Sequence, residues 1–143
     1  MRKGMLHILL LALAVSWIGW GCAGSEKRVV KKDLLPSLVI YPGVVKMDKK
    51  ATVTLVGSGF EHGKSFRLVM VTEDGITTDI DYSFDPKPVT NPAGAWVSEW
   101  KDLGSFIEQE LIKEGAYTIW VTDSEYNPIA QAPIGFVAEK KKK

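Results

Sequence analysis

Few residues in this chain could do chemistry. They are one cysteine, Cys22, two histidines, His7 and His62, and a run of carboxylates in "EDGITTDIDYSFD". A tetrahedral structural zinc site takes four Cys or His ligands. His7 falls in an apolar leader, and Cys22 and His62 alone cannot supply that set. A Ser–His–Asp triad would need His62 as its base. His62 sits in the glycine-flanked turn "EHGK", and no GxSxG elbow occurs. The "GSG" at positions 57–59 lacks the following Lys-Ser/Thr and helix of a phosphate-binding loop. Glu73, Asp74, Asp79, Asp81 and Asp85 offer hard oxygens of the kind calcium takes. Asp79 and Asp81 also alternate with Ile80 and Tyr82, which is the pattern of a half-buried strand with one wet face. The sequence therefore implies no cofactor, no resident metal and no catalytic set, and the expectation is a protein that is not an enzyme.

Cys22 is the informative residue. One cysteine cannot form an internal disulfide. It lies where an apolar run, Leu6 to Trp20, gives way to the charged stretch "SEKRVVKKDLL". Arg2 and Lys3 precede the run, which gives the basic and apolar regions of a secretory signal. The run is shorter than the roughly 20 apolar residues that span a bilayer. "GWGCAGS" puts small residues on both sides of Cys22 and resembles the lipobox of bacterial lipoproteins. That resemblance implies cleavage before Cys22 and a diacylglycerol on its sulfur. Ala23, not Asp, follows the cysteine, which by the same resemblance implies passage to an outer membrane or cell surface. Gly19 and Trp20 depart from the usual residues before the cysteine. The expected organisation is a signal at 1–21, a lipidated tether at 22–35, a domain at 36–138 and a basic tail at 139–143. Removing Arg2 and Lys3 from the 18 basic residues leaves sixteen against 17 acidic. Near-neutrality excludes the basic footprint of a nucleic-acid binder.

From Pro36 onward the pattern is all-β. "SLVIY", "ATVTLVG", "SFRLVMVT", "ITTDIDYSF", "AWVSEWK", "AYTIWVT" and "IAQAPIGFVA" are short apolar or alternating runs. Turn signals such as "YPG", "TNPAG" and "DSEYNP" separate them. About seven short strands at regular spacing predict an antiparallel β-sandwich. "SFIEQELIKEG" differs. Ser105 and Glu108 have capping-box spacing, Phe106, Ile107 and Leu111 form a helical stripe, and Gly115 is a stop signal. The spacing predicts one short helix over 105–113.

"GSGFEHGKSFRL" resembles the "GSGF-x-PG" turn of bacterial immunoglobulin-like domains of the IPT/TIG type, with His62 in place of the usual proline. "GAYTIWVTD" is similar to their G-x-Y strand ending in Asp. The resemblance implies an immunoglobulin-like sandwich in which Tyr117 is the tyrosine corner. It implies no particular activity, because the fold carries many functions.

Alternation places Tyr117, Ile119 and Val121 on the core face and Trp120 outside. Likewise Phe66, Leu68 and Met70 point in, and Arg67, Val69 and Val71 point out. Trp120, Val69 and Val71 are thus expected to share an apolar outer patch, the candidate contact for an envelope protein partner. The alternative is that the patch is covered and forms a second small core. Trp96 and Trp100 are expected in the main core. The function expected is a lipid-anchored, non-catalytic binding or assembly module. The competing expectation is glycan or peptidoglycan binding, with Trp120 and Tyr126 as stacking platforms.

Overall fold

The computed structural model describes residues 35–138. Cys22, the leader, most of the tether and the basic tail lie outside the described residues. Nine strands build two sheets: β1 Ser37–Tyr41, β2 Val44–Met47, β3 Thr54–Ser58, β4 Arg67–Thr72, β5 Thr77–Asp79, β6 Phe84–Asp85, β7 Trp96–Trp100, β8 Gly115–Thr122 and β9 Pro128–Ala138. The first sheet has the order β1-β3-β7-β6 and the second β2-β9-β8-β4-β5. Taken in chain order, this is the strand arrangement of an immunoglobulin-type sandwich, with β2 and β5 added at the edges of the second sheet. All pairings are antiparallel except β2–β9, which is parallel.

The strands follow from period-two alternation. In β7, Trp96, Ser98 and Trp100 are buried, while Val97 and Glu99 face out. In β1, Leu38 and Ile40 are buried between exposed neighbours. Leu55, Leu68, Ile119, Val121, Ile134 and Phe136 join Trp96 and Trp100 between the sheets. Each large side chain removed from water in this way contributes about 1.5–3 kcal/mol. Ser98 is the polar exception on the inner face, and its hydroxyl donates to the Pro86 carbonyl at 2.5 Å.

Three details differ from the sequence reading. Residues 76–84 do not form one strand. β5 ends at Asp79, a single 3-10 turn covers Asp81–Ser83, and β6 starts at Phe84 on the other sheet. Ile80 is fully buried at this crossing, and its N–H donates to the Leu68 carbonyl at 2.9 Å. The chain thus swaps sheets where periodicity alone predicts continuation. Secondly, "VVKM" forms β2, and its partners on β9 lie 91 residues away in sequence, as Val44 with Gly135 (135 − 44), so no local signal marks it. Thirdly, the helix, here α1, runs over Leu103–Glu108, with Asp102 at its N-cap and no side-chain cap bond. Ser105 lies inside α1 and its hydroxyl accepts from Gln109 Nε2 at 2.8 Å, so the capping box does not form. The buried face, Leu103, Gly104 and Phe106, decides where α1 begins. Phe106 meets Trp100 edge-on at 5.6 Å between ring centroids.

The tyrosine corner forms at the start of β8. Tyr117 Oη donates to the Lys113 carbonyl and accepts from the Lys113 N–H, both at 3.1 Å. One hydroxyl thereby clamps the connection from α1 into β8. Tyr117→Phe is expected to lose about 1–2 kcal/mol in urea unfolding, the net worth of two such bonds. An unchanged midpoint would mean the corner adds nothing here.

Candidate functional site

The loops joining β3 to β4 and β8 to β9 meet at one end of the sandwich. In antibody variable domains, the loops at this end of the sandwich carry the binding site on a rigid scaffold. Each loop is held by its own hydrogen bonds. In loop 59–66, Gly59 and Gly63 take φ of 77° and 71°, the left-handed region that glycine enters at no steric cost. The segment 88–94 pins this loop. Thr90 Oγ1 donates to the Glu61 carbonyl at 2.6 Å and accepts from the Lys64 N–H at 3.2 Å. Backbone bonds from Phe66 N–H to the Pro88 carbonyl and from Thr90 N–H to the Lys64 carbonyl, both 3.2 Å, extend the pairing.

In loop 123–127, Asp123 is the organiser. Its carboxylate accepts from the Glu125 N–H at 2.8 Å, the Asn127 N–H at 2.9 Å and Asn127 Nδ2 at 2.9 Å. Hydrogen bonds from the Asn127 side chain and backbone, and from Glu125, hold the Asp123 carboxyl below the ordinary aspartate range. A depressed folded-state pKa contributes stability that is present above the unfolded value and lost as pH falls through the folded one. Protection of the Glu125 and Asn127 amides, measured against their intrinsic exchange at each pH, is therefore expected to hold at neutral pH and to be lost only once the pH falls below the ordinary aspartate range, where the Asp123 carboxylate is protonated. Asp123→Ala should show that loss already at pH 7. Equal exchange in both proteins at pH 7 would remove Asp123 as the loop's organiser.

This loop presents Tyr126 with φ 65°, a strained conformation for a bulky residue. Tyr126 Oη donates to Asp79 Oδ2 at 3.1 Å, and the Arg67 guanidinium lies 4.9 Å from the Tyr126 ring centroid. Arg67 Nη1 donates to the same Asp79 oxygen at 3.2 Å. Asp79 Oδ1 accepts the Asp81 N–H at 3.1 Å. Burial pushes the Asp79 carboxyl up, but hydrogen bonds from Asp81 and Tyr126 and the charge of Arg67 outweigh it, and the group lies below its ordinary value. Asp81 goes the other way: burial and the adjacent Asp79 carboxylate raise it, against Arg67 and Lys87.

Two clefts adjoin at this end. One, of about 560 Å³, lies between the two loops; the other, of about 450 Å³, continues toward Arg67, Asp81 and Lys87. They share Ser65, Phe66 and Ser124. Phe66 is half-buried and packs on Phe60 with ring centroids 4.8 Å apart.

The residues singled out from sequence fall as follows. Val69 and Trp120 are direct partners across β4 and β8, and Val71 sits opposite Thr118, so the three do share the outer face. The exposed apolar patch expected there is not seen: Val69 is 4% and Val71 9% exposed, and only Trp120 keeps part of its surface. β4 is flanked by β8 and β5 on both sides, and side chains across paired strands lie about 4.5–5.5 Å apart at Cβ. The contact role expected of these three residues therefore has little valine surface to use. A more exposed apolar row lies on the other sheet, where Val39, Val56 and Val97 are in register across β1, β3 and β7. β3 and β7 are flanked on both sides as β4 is, so strand position does not decide which outer valines stay open; alternation gives the face and not what lies over it.

His62 is an exposed turn residue. Of the acidic run, Asp79 and Asp81 adjoin each other, and Asp74 instead accepts a hydrogen bond from the Thr72 hydroxyl in the β4–β5 turn. No three His, Cys, Asp or Glu residues are grouped to hold a metal ion among the described residues. The Arg67–Asp79–Tyr126 cluster escaped the sequence reading because its members are 12 and 47 residues apart. The local signal available was Asp123 four residues before Asn127, the spacing of a side-chain-capped turn. Compared with known proteins, the chain matches no family model and no curated sequence.

Proposed function

We propose that this chain is a lipid-anchored, non-catalytic binding module of a bacterial cell envelope, with a sandwich of the IPT/TIG type. The observation that carries the binding reading is the prebuilt loop end. Asp123 and Thr90 fix two loops, and the fixed loops border a trough beside Tyr126 and Arg67. Loops ordered before the ligand arrives lower the entropy cost of association. The IPT/TIG assignment is supported by the left-handed glycines of the "GSGFEHG" turn, the Tyr117 corner and the turn-capping role of Asp123, the last residue of "GAYTIWVTD". The anchoring reading is supported by "GWGCAGS" after a basic and apolar leader. No helix among the described residues is long and apolar enough to cross a membrane.

Lipid on Cys22 would hold the domain by acyl chains, each buried CH₂ contributing about 0.8 kcal/mol. A tether over 22–35 reaches at most about 50 Å when extended. Confinement within that distance raises the effective concentration of the trough toward anything on the same surface. The test is the mass of the N-terminal peptide from detergent-solubilised membranes, beside a Cys22→Ser variant. A diacylglyceryl-modified Cys22 at the new N-terminus is expected, together with loss of membrane retention in Cys22→Ser. An unmodified Cys22 behind an intact leader would overturn the anchoring.

A further inference from the structure

We infer that the trough between loops 59–66 and 123–127 binds a neutral glycan chain, for which two unbranched β-1,4-linked hexasaccharides serve as probes. The inference rests on the reading of this domain as a binding module. Three features select the ligand class.

The first is the floor. Phe66 lies where the two clefts join, its ring supported by Phe60. An aromatic face carries negative charge density, and the C–H face of a pyranose ring is its complement. The second is the charge of the walls. Lys64, Arg67 and Lys87 line the trough together with Glu61, Asp81 and Asp123, three cations against three anions. Lys64 is 3.8 Å from Glu61, and Arg67 is paired with Asp79. Such a wall neither steers nor retains a polyanion or a polycation. It does offer planar carboxylates, a guanidinium and the hydroxyls of Ser65 and Ser124, groups that pair with neighbouring sugar hydroxyls while keeping their own partners. The third is the backbone. A peptide that binds by adding a strand needs a free edge. Here the backbone beside Ser65 is already paired, Ser65 with Val89 in a bridge and Phe66 N–H with the Pro88 carbonyl.

The full-length protein in detergent micelles is titrated by calorimetry with cellohexaose and with hexa-N-acetylchitohexaose. A pool of neutral decapeptides serves as comparison. Saturable binding of at least one hexasaccharide is expected. Ser124→Trp, which places an indole in the trough from an exposed position, should weaken it at least tenfold. Ser65→Trp should do the same from the opposite wall. Val97→Ala, on the outer face of the other sheet, should leave binding unchanged. Thermal melts establish that each variant is folded. Absence of binding by both sugars overturns the inference, and so does undiminished binding in both tryptophan variants. Peptide binding lost in Ser124→Trp, without sugar binding, overturns the glycan assignment and leaves the binding-module reading standing. Absence of any binding overturns the glycan inference and leaves a folded protein as the ligand such a module would take.

Discussion

Gly57→Ala should destabilise the domain by about 3 kcal/mol or more, near the top of what overpacking costs. Gly57 sits on β3 opposite Trp96 of β7, and the Trp96 indole occupies the space that a Cβ at Gly57 would need. A methyl group added at Gly57 would fall inside the ring, against Cε2, Nε1 and Cζ2. The ring cannot swing away cheaply, because it is 4% exposed and packs on Phe60 at 5.9 Å. Either β3 and β7 separate or the indole leaves its rotamer, and each outcome disturbs the centre of the first sheet. Urea unfolding followed by tryptophan emission measures the effect. A loss below about 1 kcal/mol would show that the sheet yields more easily than a close-packed interior allows. A paired Gly57→Ala/Trp96→Phe variant should recover part of the loss, since the smaller ring frees some of the space.

Trp100→Ala should cost about 3–5 kcal/mol, the range for emptying a large aromatic site in a core. Trp100 is 1% exposed and touches two rings, Phe84 at 5.1 Å and Phe106 at 5.6 Å between centroids. Phe84 belongs to β6 and Phe106 to α1, so one indole joins the edge of the first sheet to the helix. The expected signature is therefore uneven. Amide exchange should rise across α1 and β6 more than across β8 and β9. Trp100→Phe should cost far less, because the Trp100 indole N–H has no hydrogen-bond partner among the described residues and only ring volume is lost. If exchange rose equally in every strand, Trp100 would be a general core residue and not the link between these two elements.

The fold was legible wherever one strand carried its own alternation. In β7 the inward tryptophans were legible from alternation, and in β8 so were the inward Ile119 and Val121 and the corner role of Tyr117. Thr122 was not: alternation sets it outside, and it is fully buried past the register shift that follows Val121. Legibility ended where a tertiary partner made the decision. Ile80 interrupts a plausible strand because the core claims it at the point where the chain changes sheets. β2 forms because β9 is beside it. The candidate site was legible only in fragments. Tyr126 stood out as an exposed aromatic and Arg67 as an outward residue, but their meeting over Asp79 depends on two loops folding to the same end. Val69 and Val71 were placed on the correct face, yet alternation gives a face and not its exposure.

The way the first strand divides between the sheets bears on how the domain carries load. β1 closes the edge of one sheet and β2, two residues later, closes the edge of the other, where it runs parallel to β9. Tension applied between residues 37 and 138 pulls β2 and β9 in opposite senses along their length. The four residue pairs from Val44–Gly135 to Met47–Ala138 are then strained together; they cannot peel apart one after another. A strand pair loaded in shear yields only when several hydrogen bonds fail at once. A domain pulled by its tether at one end and by whatever follows residue 138 at the other would carry that junction in series, whereas a pull on its loops would bypass it, since Pro36 itself borders the trough.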